Sequence, residues 1–318
     1  MSPLRRRHLL AGLTGLAAST GLRPGLAAVT APRPLGQGSR VVAIAPGTWW
    51  ENPAAESELL RRRFTAEGWE LRIPPAAMGR WRWFSAADRD RLRQWRLASG
   101  DPGTDAVVAV AGGWGSARLL EIGWSPAPRP QWLVGYSDTS ALLLAQLAAG
   151  RGGAIHAGLG GEPSSWNRLA QLLRGLPVDP LRGVGWRRGS GTGPLVVTNL
   201  TVATHLIGTP WLPDLRGCVL VLEDVGEAPY RVDRMLTQWR TAKLLEGVAA
   251  VGLGHFRWKM DDILPGDLTM EEVLRERLGD LGIPLVGGLP VGHGRPNLAL
   301  PLGVRARLDG DRGTLELL

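Results

Sequence analysis

Two short apolar runs, each cut off abruptly by proline or glycine, constrain the fold of this 318-residue chain more than any other feature. Residues 40–45 read RVVAIA and stop at Pro46-Gly47; residues 106–111 read AVVAVA and stop at Gly112-Gly113. Runs this short, without polar alternation, read as strands buried on both faces. Residues 131–134 form a third such run, and residues 69–73 read as a further strand. Between them lie helical patterns. Residues 56–67 place Leu59, Leu60 and Phe64 on one side, and residues 88–98 form a charged helix carrying Leu92 and Trp95. Residues 116–122 open a helix after the second run, and residues 139–149 form a Leu/Ala-rich one. Strands alternating with helices imply an α/β domain whose mostly parallel sheet is covered on both faces.

The texture changes after Gly158. Residues 163–190 mix one helical stretch, 166–173, with glycine, proline and arginine, which reads as a linker between domains. Further on, apolar runs recur at 195–197, 219–223, 248–253, 285–287, 306–308 and 314–318, interrupted by helical patterns at 233–243 and 270–281. The expected division is an amino-terminal α/β domain over 40–162, a linker over 163–190 and a β-rich carboxy-terminal domain over 191–318. The length suits two domains. A hydrophobic share of 44% and a charged share of 21% exclude a disordered chain or a multi-span membrane protein. Cys218 is the only cysteine, so an intrachain disulfide and a cysteine metal cluster are both excluded.

The first 28 residues have a basic start, an apolar stretch and a small-residue end, the layout of a secretory signal peptide. Arg6-Arg7 directly before the apolar part makes it resemble a twin-arginine signal. The expectation is a periplasmic or exported protein, with residues 29–39 as a spacer and no stable membrane span after cleavage; without a working signal the protein would be cytoplasmic. The net charge of +8 is no nucleic-acid footprint, because Arg5, Arg6, Arg7 and Arg23 hold half of it.

Chemistry concentrates at three places. Ser116 ends Gly112-Gly113-Trp114-Gly115-Ser116, between a buried strand and a helix, where a nucleophile elbow would lift its hydroxyl; a phosphate cradle or a plain N-cap fits the same pattern. His293, between Gly292 and Gly294, is the best candidate base among the five histidines. His156 could line the same cleft, His205 reads as a core residue and His255 could be exposed. Glu223 and Asp224 close a buried strand, where a carboxylate can orient a histidine; Glu227 competes for that role. No histidine pair has metal-ligand spacing, and the turn at 111–115 lacks a dinucleotide fingerprint. Trp49, Trp50 and Trp114 flank the turns and could stack on a ligand.

Several segments then fall into a familiar order: AGGWGSARLL at 111–120, VGYSDT at 134–139, LIGTP at 206–210, LEDVGEAPY at 222–230 with Asp233-Arg234, Gly292-His293, and LPLG at 300–303. Together they resemble the LD-carboxypeptidase family of serine peptidases, which includes muramoyltetrapeptide carboxypeptidases and microcin-immunity peptidases. The resemblance spans about residues 40–308. It implies a doubly wound amino-terminal domain, a smaller β-rich carboxy-terminal one, frequent homodimers, and neither cofactor nor metal. It also implies a Ser-Glu-His triad, carried over here as Ser116 the nucleophile, Glu223 the orienting carboxylate and His293 the base. The oxyanion would be held by the backbone N–H of Ala117, with Gly113 second. The substrate would be a peptidoglycan-derived muropeptide, the reaction release of terminal D-alanine from a stem tetrapeptide, and Arg295 and Arg118 the candidates for its carboxylate. Thr48 after Pro46-Gly47, Val197-Thr198 before Asn199, and Ala86-Ala87 near Asp88 depart from the family pattern and bear on substrate contacts. Other readings are a microcin-immunity peptidase cleaving a peptidyl-nucleotide amide, a non-catalytic periplasmic binding module, and a glutaminase-type amidase. The last needs a nucleophilic cysteine, whereas Cys218 reads as a small buried hydrophobe.

Overall fold

The computed structural model describes residues 29–259 and 264–318; the signal segment expected at 1–28 lies outside the described residues. The first half runs β1 (Arg40–Ile44), α1 (Pro53–Ala66), β2 (Glu70–Arg72), α2 (Asp88–Gly100), β3 (Ala106–Ala109), α3 (Ser116–Glu121), β4 (Trp132–Gly135), α4 (Ser140–Ala148), β5 (Ala154–His156) and α5 (Pro163–Leu173). β1 to β5 pair in parallel in the order β2-β1-β3-β4-β5. Side chains alternate across each strand. Val41 and Ala43 therefore face a cluster with Leu60, Phe64 and Trp166, while Val42 and Ile44 face Leu92, Leu119 and Leu142. Both faces are covered, which is why these runs carry no polar alternation. In an open parallel sheet of this order, loops at the carboxyl ends of the strands form the crevice.

The second half runs β6 (Leu181–Arg182), β7 (Val184–Arg187), β8 (Ser190–Asn199), α6 (Leu200–Thr204), β9 (Val219–Val225), α7 (Pro229–Thr241), β10 (Ala250–Arg257), α8 (Met270–Gly279), β11 (Leu285–Gly287), β12 (Leu300–Pro301), β13 (Arg305–Asp309) and β14 (Thr314–Leu317). Its eight-stranded sheet has the order β6-β14-β13-β8-β9-β10-β11-β7, parallel from β8 to β11 and antiparallel elsewhere. The two sheets meet through α4, eight of whose nine residues are buried. A helix apolar all round belongs in an interior, and α4 packs on β4 and β5 on one side and on β8 and α6 on the other.

The stretch 163–190, expected as a linker, is structural instead. α5 buries Trp166, Leu169 and Leu173 against the first sheet, and Phe64 meets Trp166 edge-on with ring centroids 4.9 Å apart. β6 and β7 form the two edges of the second sheet. Short edge strands hide easily behind glycine and arginine. β12 also crosses back, pairing antiparallel with β5 and stitching the halves together. His205, expected in the core, is exposed at the end of α6. Cys218 is buried, as expected. Among the described residues no helix is long and apolar enough to cross a membrane.

Candidate active site

β4 ends at Gly135, and the chain turns through Tyr136 and Ser137 before entering α4. Ser137 has φ 56°, in the left-handed region that residues with a Cβ seldom occupy. Such a conformation costs about 1–3 kcal/mol and persists where the surroundings impose it. A strained strand-to-helix turn is how a fold pushes a serine hydroxyl out of its sheet. Ser137 Oγ lies 3.0 Å from His293 Nε2. On the other side of the ring, His293 Nδ1 lies 2.7 Å from Glu223 Oε2, which also accepts the backbone N–H of His293 at 3.2 Å. With the Nδ1 proton donated to the carboxylate, Nε2 is left to accept the Ser137 hydroxyl proton.

Glu223 and Asp224 are neighbours on β9, so they point to opposite faces. Glu223 is buried against His293. Asp224 turns away to accept from the backbone N–H and hydroxyl of Thr201, at 2.8 and 2.9 Å, at the start of α6. Their acidities diverge accordingly. Burial raises the Glu223 carboxyl, but the imidazoles of His156 and His293 outweigh burial and hold it at about 2. Burial pushes Asp224 up to about 6. Gly292 makes the His293 approach possible. Its φ is 96°, and a Cβ there would stand 2.4 Å from Glu223 Oε2. The loop is held by Asn297 Oδ1, which accepts the Gly292 N–H at 2.9 Å, and by Arg257, which donates to His293 O at 3.1 Å.

A cavity of about 390 Å³ opens beside this row, lined in part by Trp50, Tyr136, Glu162, Arg257, His293 and Arg295. Its size suits a small peptide. Arg257 and Arg295 are the cations on its wall. Arg118, the other expected carboxylate partner, is engaged elsewhere: its Nε donates to Asp88 at 2.9 Å. Trp50 is buried and lines the cavity, whereas Trp114 is 48% exposed. Among the described residues no group of three or more His, Cys, Asp or Glu could hold a metal ion.

Comparison with known proteins gives this geometry a family. The LD-carboxypeptidase N-terminal domain matches residues 40–157, and the LD-carboxypeptidase C-terminal domain matches residues 192–308. The chain belongs to the LD-carboxypeptidase family. It is a serine carboxypeptidase of that family. A putative carboxypeptidase of Synechocystis sp. is 40% identical, covering 90% of this chain and 97% of that protein. The murein tetrapeptide carboxypeptidase of Pseudomonas aeruginosa is 31% identical over 86% of this chain and 94% of its own length. The crystal structure of muramoyltetrapeptide carboxypeptidase from Oxalobacter formigenes superposes with a TM-score of 0.78 at 28% identity, covering 87% of this chain and 97% of that one.

Within this LD-carboxypeptidase the structure brings Glu223 and His293 together, as expected, but not with Ser116. The Ser116 hydroxyl is buried at the start of α3 and has no hydrogen-bond partner among the described residues. Ser116 faces Asp138 instead: its backbone N–H donates to Oδ2 at 2.8 Å beside the Gly115 N–H on Oδ1 at 3.2 Å, and its side chain lies against the same carboxylate. Burial raises the Asp138 carboxyl. The Gly112–Ser116 turn thus braces the Ser137 turn from behind. Ala117, expected as the oxyanion donor because it follows Ser116, loses that rationale. The residue after Ser137 is Asp138, and Gly112 lies so close that a Cβ on it would stand 3.0 Å from Ser137 Oγ. This keeps Gly113 as a candidate and adds the amides of Gly112 and Asp138. The signal for Ser137 was in the sequence: Gly135-Tyr136-Ser137 has the Gly-x-Ser order of an elbow, directly after an apolar strand and before the Leu/Ala-rich helix. Cys218 offers no rival nucleophile, since burial pushes its thiol pKa up.

Proposed function

We propose that Ser137, His293 and Glu223 form the catalytic triad, and that the reaction is hydrolysis of an L,D-peptide bond that releases terminal D-alanine from a peptidoglycan stem tetrapeptide. The observation that carries the triad is the 3.0 Å contact between His293 Nε2 and the hydroxyl of the strained Ser137. His293 Nε2 takes the Ser137 proton as Oγ attacks the scissile carbonyl carbon. Glu223 accepts the Nδ1–H bond and balances the imidazolium that forms. The tetrahedral oxyanion lies against backbone N–H groups of Asp138 and of the Gly112-Gly113 turn. His293 then protonates the leaving amine, D-alanine departs, and water attacks the acyl-enzyme by the same proton route.

Arg257 and Arg295 on the cavity wall would pair with the carboxylate of the departing residue, since a free terminal carboxylate distinguishes an exopeptidase substrate. Export through the 1–28 segment would put the enzyme where peptidoglycan is, and mass spectrometry of the native amino terminus tests it. The deciding assay follows D-alanine released from a purified muramoyl tetrapeptide by wild type and Ser137→Ala. The variant should lose about 10⁴- to 10⁶-fold in kcat. Turnover of a peptidyl-nucleotide amide in place of the tetrapeptide would give the substrate to the microcin-immunity reading while leaving the triad intact. Tight binding of the tetrapeptide without turnover would favour a binding module.

A further inference from the structure

Glu223 is fully buried, and its two oxygens are treated unequally. Oε2 takes both the ring and the backbone N–H of His293, while Oε1 has no hydrogen bond among the described residues. The group facing Oε1 is His156, whose Nε2 is 3.7 Å away, just beyond hydrogen-bond reach. His156 is also fully buried, and neither of its ring nitrogens has a partner among the described residues. Two buried, unsatisfied polar groups pointing at each other are costly unless they serve each other. The triad as written uses neither His156 nor Oε1.

The place of His156 in the fold sharpens the point. It ends β5, where it is in register with Gly135 of β4 on one side and with Leu300 of β12 on the other. It therefore sits one strand from the turn that carries Ser137, and the Tyr136 ring lies edge-on to it, with centroids 6.0 Å apart. Glu223 belongs to the other sheet. The pair spans the junction that the triad itself must span.

We propose that His156 is a positioning residue: by donating its Nε2–H to Glu223 Oε1 it fixes the rotation of the carboxylate, so that Oε2 stays on His293 Nδ1 while Ser137 is deprotonated. A shift of about 0.5–1 Å from the 3.7 Å separation closes the bond. A carboxylate held by one oxygen can swing; held by both, it cannot. This rests on the triad reading, and the experiment separates the two.

The probe is a fluorophosphonate, which labels an activated serine whatever the natural substrate. Labelling rates are measured on the full chain for wild type, Ser137→Ala, His156→Phe, His156→Leu and His156→Gln. The proton NMR signal of the His293 Nδ1–H, expected at low field, is recorded alongside. His156→Phe and His156→Leu should be labelled about 10- to 100-fold more slowly, with the low-field signal shifted or broadened. His156→Gln, which keeps a donor at similar reach, should recover most of the rate and the signal. Either apolar variant suffices if the other does not fold. Labelling abolished in Ser137→Ala but unchanged in the folded apolar variants overturns the role of His156 alone. Equal slowing in the Gln and apolar variants also overturns it, because a donor then makes no difference. Labelling that survives Ser137→Ala overturns the triad and this proposal together.

Discussion

Two turns at the same edge of the first sheet run from strand to helix through a serine, and they have divided the work. After β3 the chain passes Gly112, Gly113 and Gly115 and reaches Ser116, whose hydroxyl is buried while its N–H holds Asp138. After β4 it passes one glycine, Gly135, and reaches Ser137, which carries the strain and is half-buried with its hydroxyl on His293. The richer glycine content of the first turn serves close packing. The second turn meets His293, and the first turn holds it in position. A glycine-rich turn with a serine is therefore no guide to which serine reacts; the backbone conformation at the serine and what faces its oxygen decide it.

The sharpest way to break this comparison is to remove each hydroxyl in turn. Ser137→Ala should abolish turnover, whereas Ser116→Ala should keep kcat within about tenfold, because the backbone N–H that holds Asp138 is retained. Equal losses in the two variants, measured in the same D-alanine assay, would mean that the turns do not differ in the way described.

How much of this the sequence disclosed follows from the range of the interactions. β1, β3 and β4 were legible because burial on both faces leaves uninterrupted apolar runs. α4 was legible because it is apolar all round. β6, β7 and β12 were not, since strands of two to four residues at sheet edges carry no period to read. Glu223 and His293 were legible as a carboxylate ending a buried strand and a histidine among glycines. Ser137 and Ser116 both satisfied the local rule. The choice between them depends on a contact with His293 across 156 positions of chain and on a φ that composition does not report.

A smaller effect tests the bracing role. Gly112→Ala would put a Cβ 2.9 Å from Ser137 Cβ and 3.0 Å from Ser137 Oγ. The serine must give way, so kcat should fall about 10²-fold or more while the protein remains folded. The check is kcat beside a thermal melt, and wild-type kcat in Gly112→Ala would show that the first turn does not press on the second.

The anchor of the second turn has a pH signature of its own. The Glu223 carboxyl is held at about 2 in the fold against an ordinary value of 4.5, with burial opposing the two histidines that lower it. A depressed carboxyl contributes stability that is fully present above its unfolded value and disappears as pH falls through 4.5 towards 2. The amount is on the order of 3 kcal/mol. Asp224 works in the opposite sense. Raised by burial to about 6, it binds its proton more readily in the fold, so protonation between pH 6 and pH 4 favours the folded state. Net stability therefore mixes the two, and a single acid titration of the wild type cannot assign either. Urea unfolding of wild type and Glu223→Gln at pH 7, 5 and 3 separates them, because burial, the largest cause of the Asp224 shift, is common to both chains, and only the smaller push from the Glu223 charge is removed. That difference should shrink between pH 5 and pH 3, where Glu223 of the unfolded chain takes up its proton. A difference independent of pH would mean that Glu223 is not held ionised by its imidazole partners, and the second turn would then lack the charge on which its division of labour from the first depends.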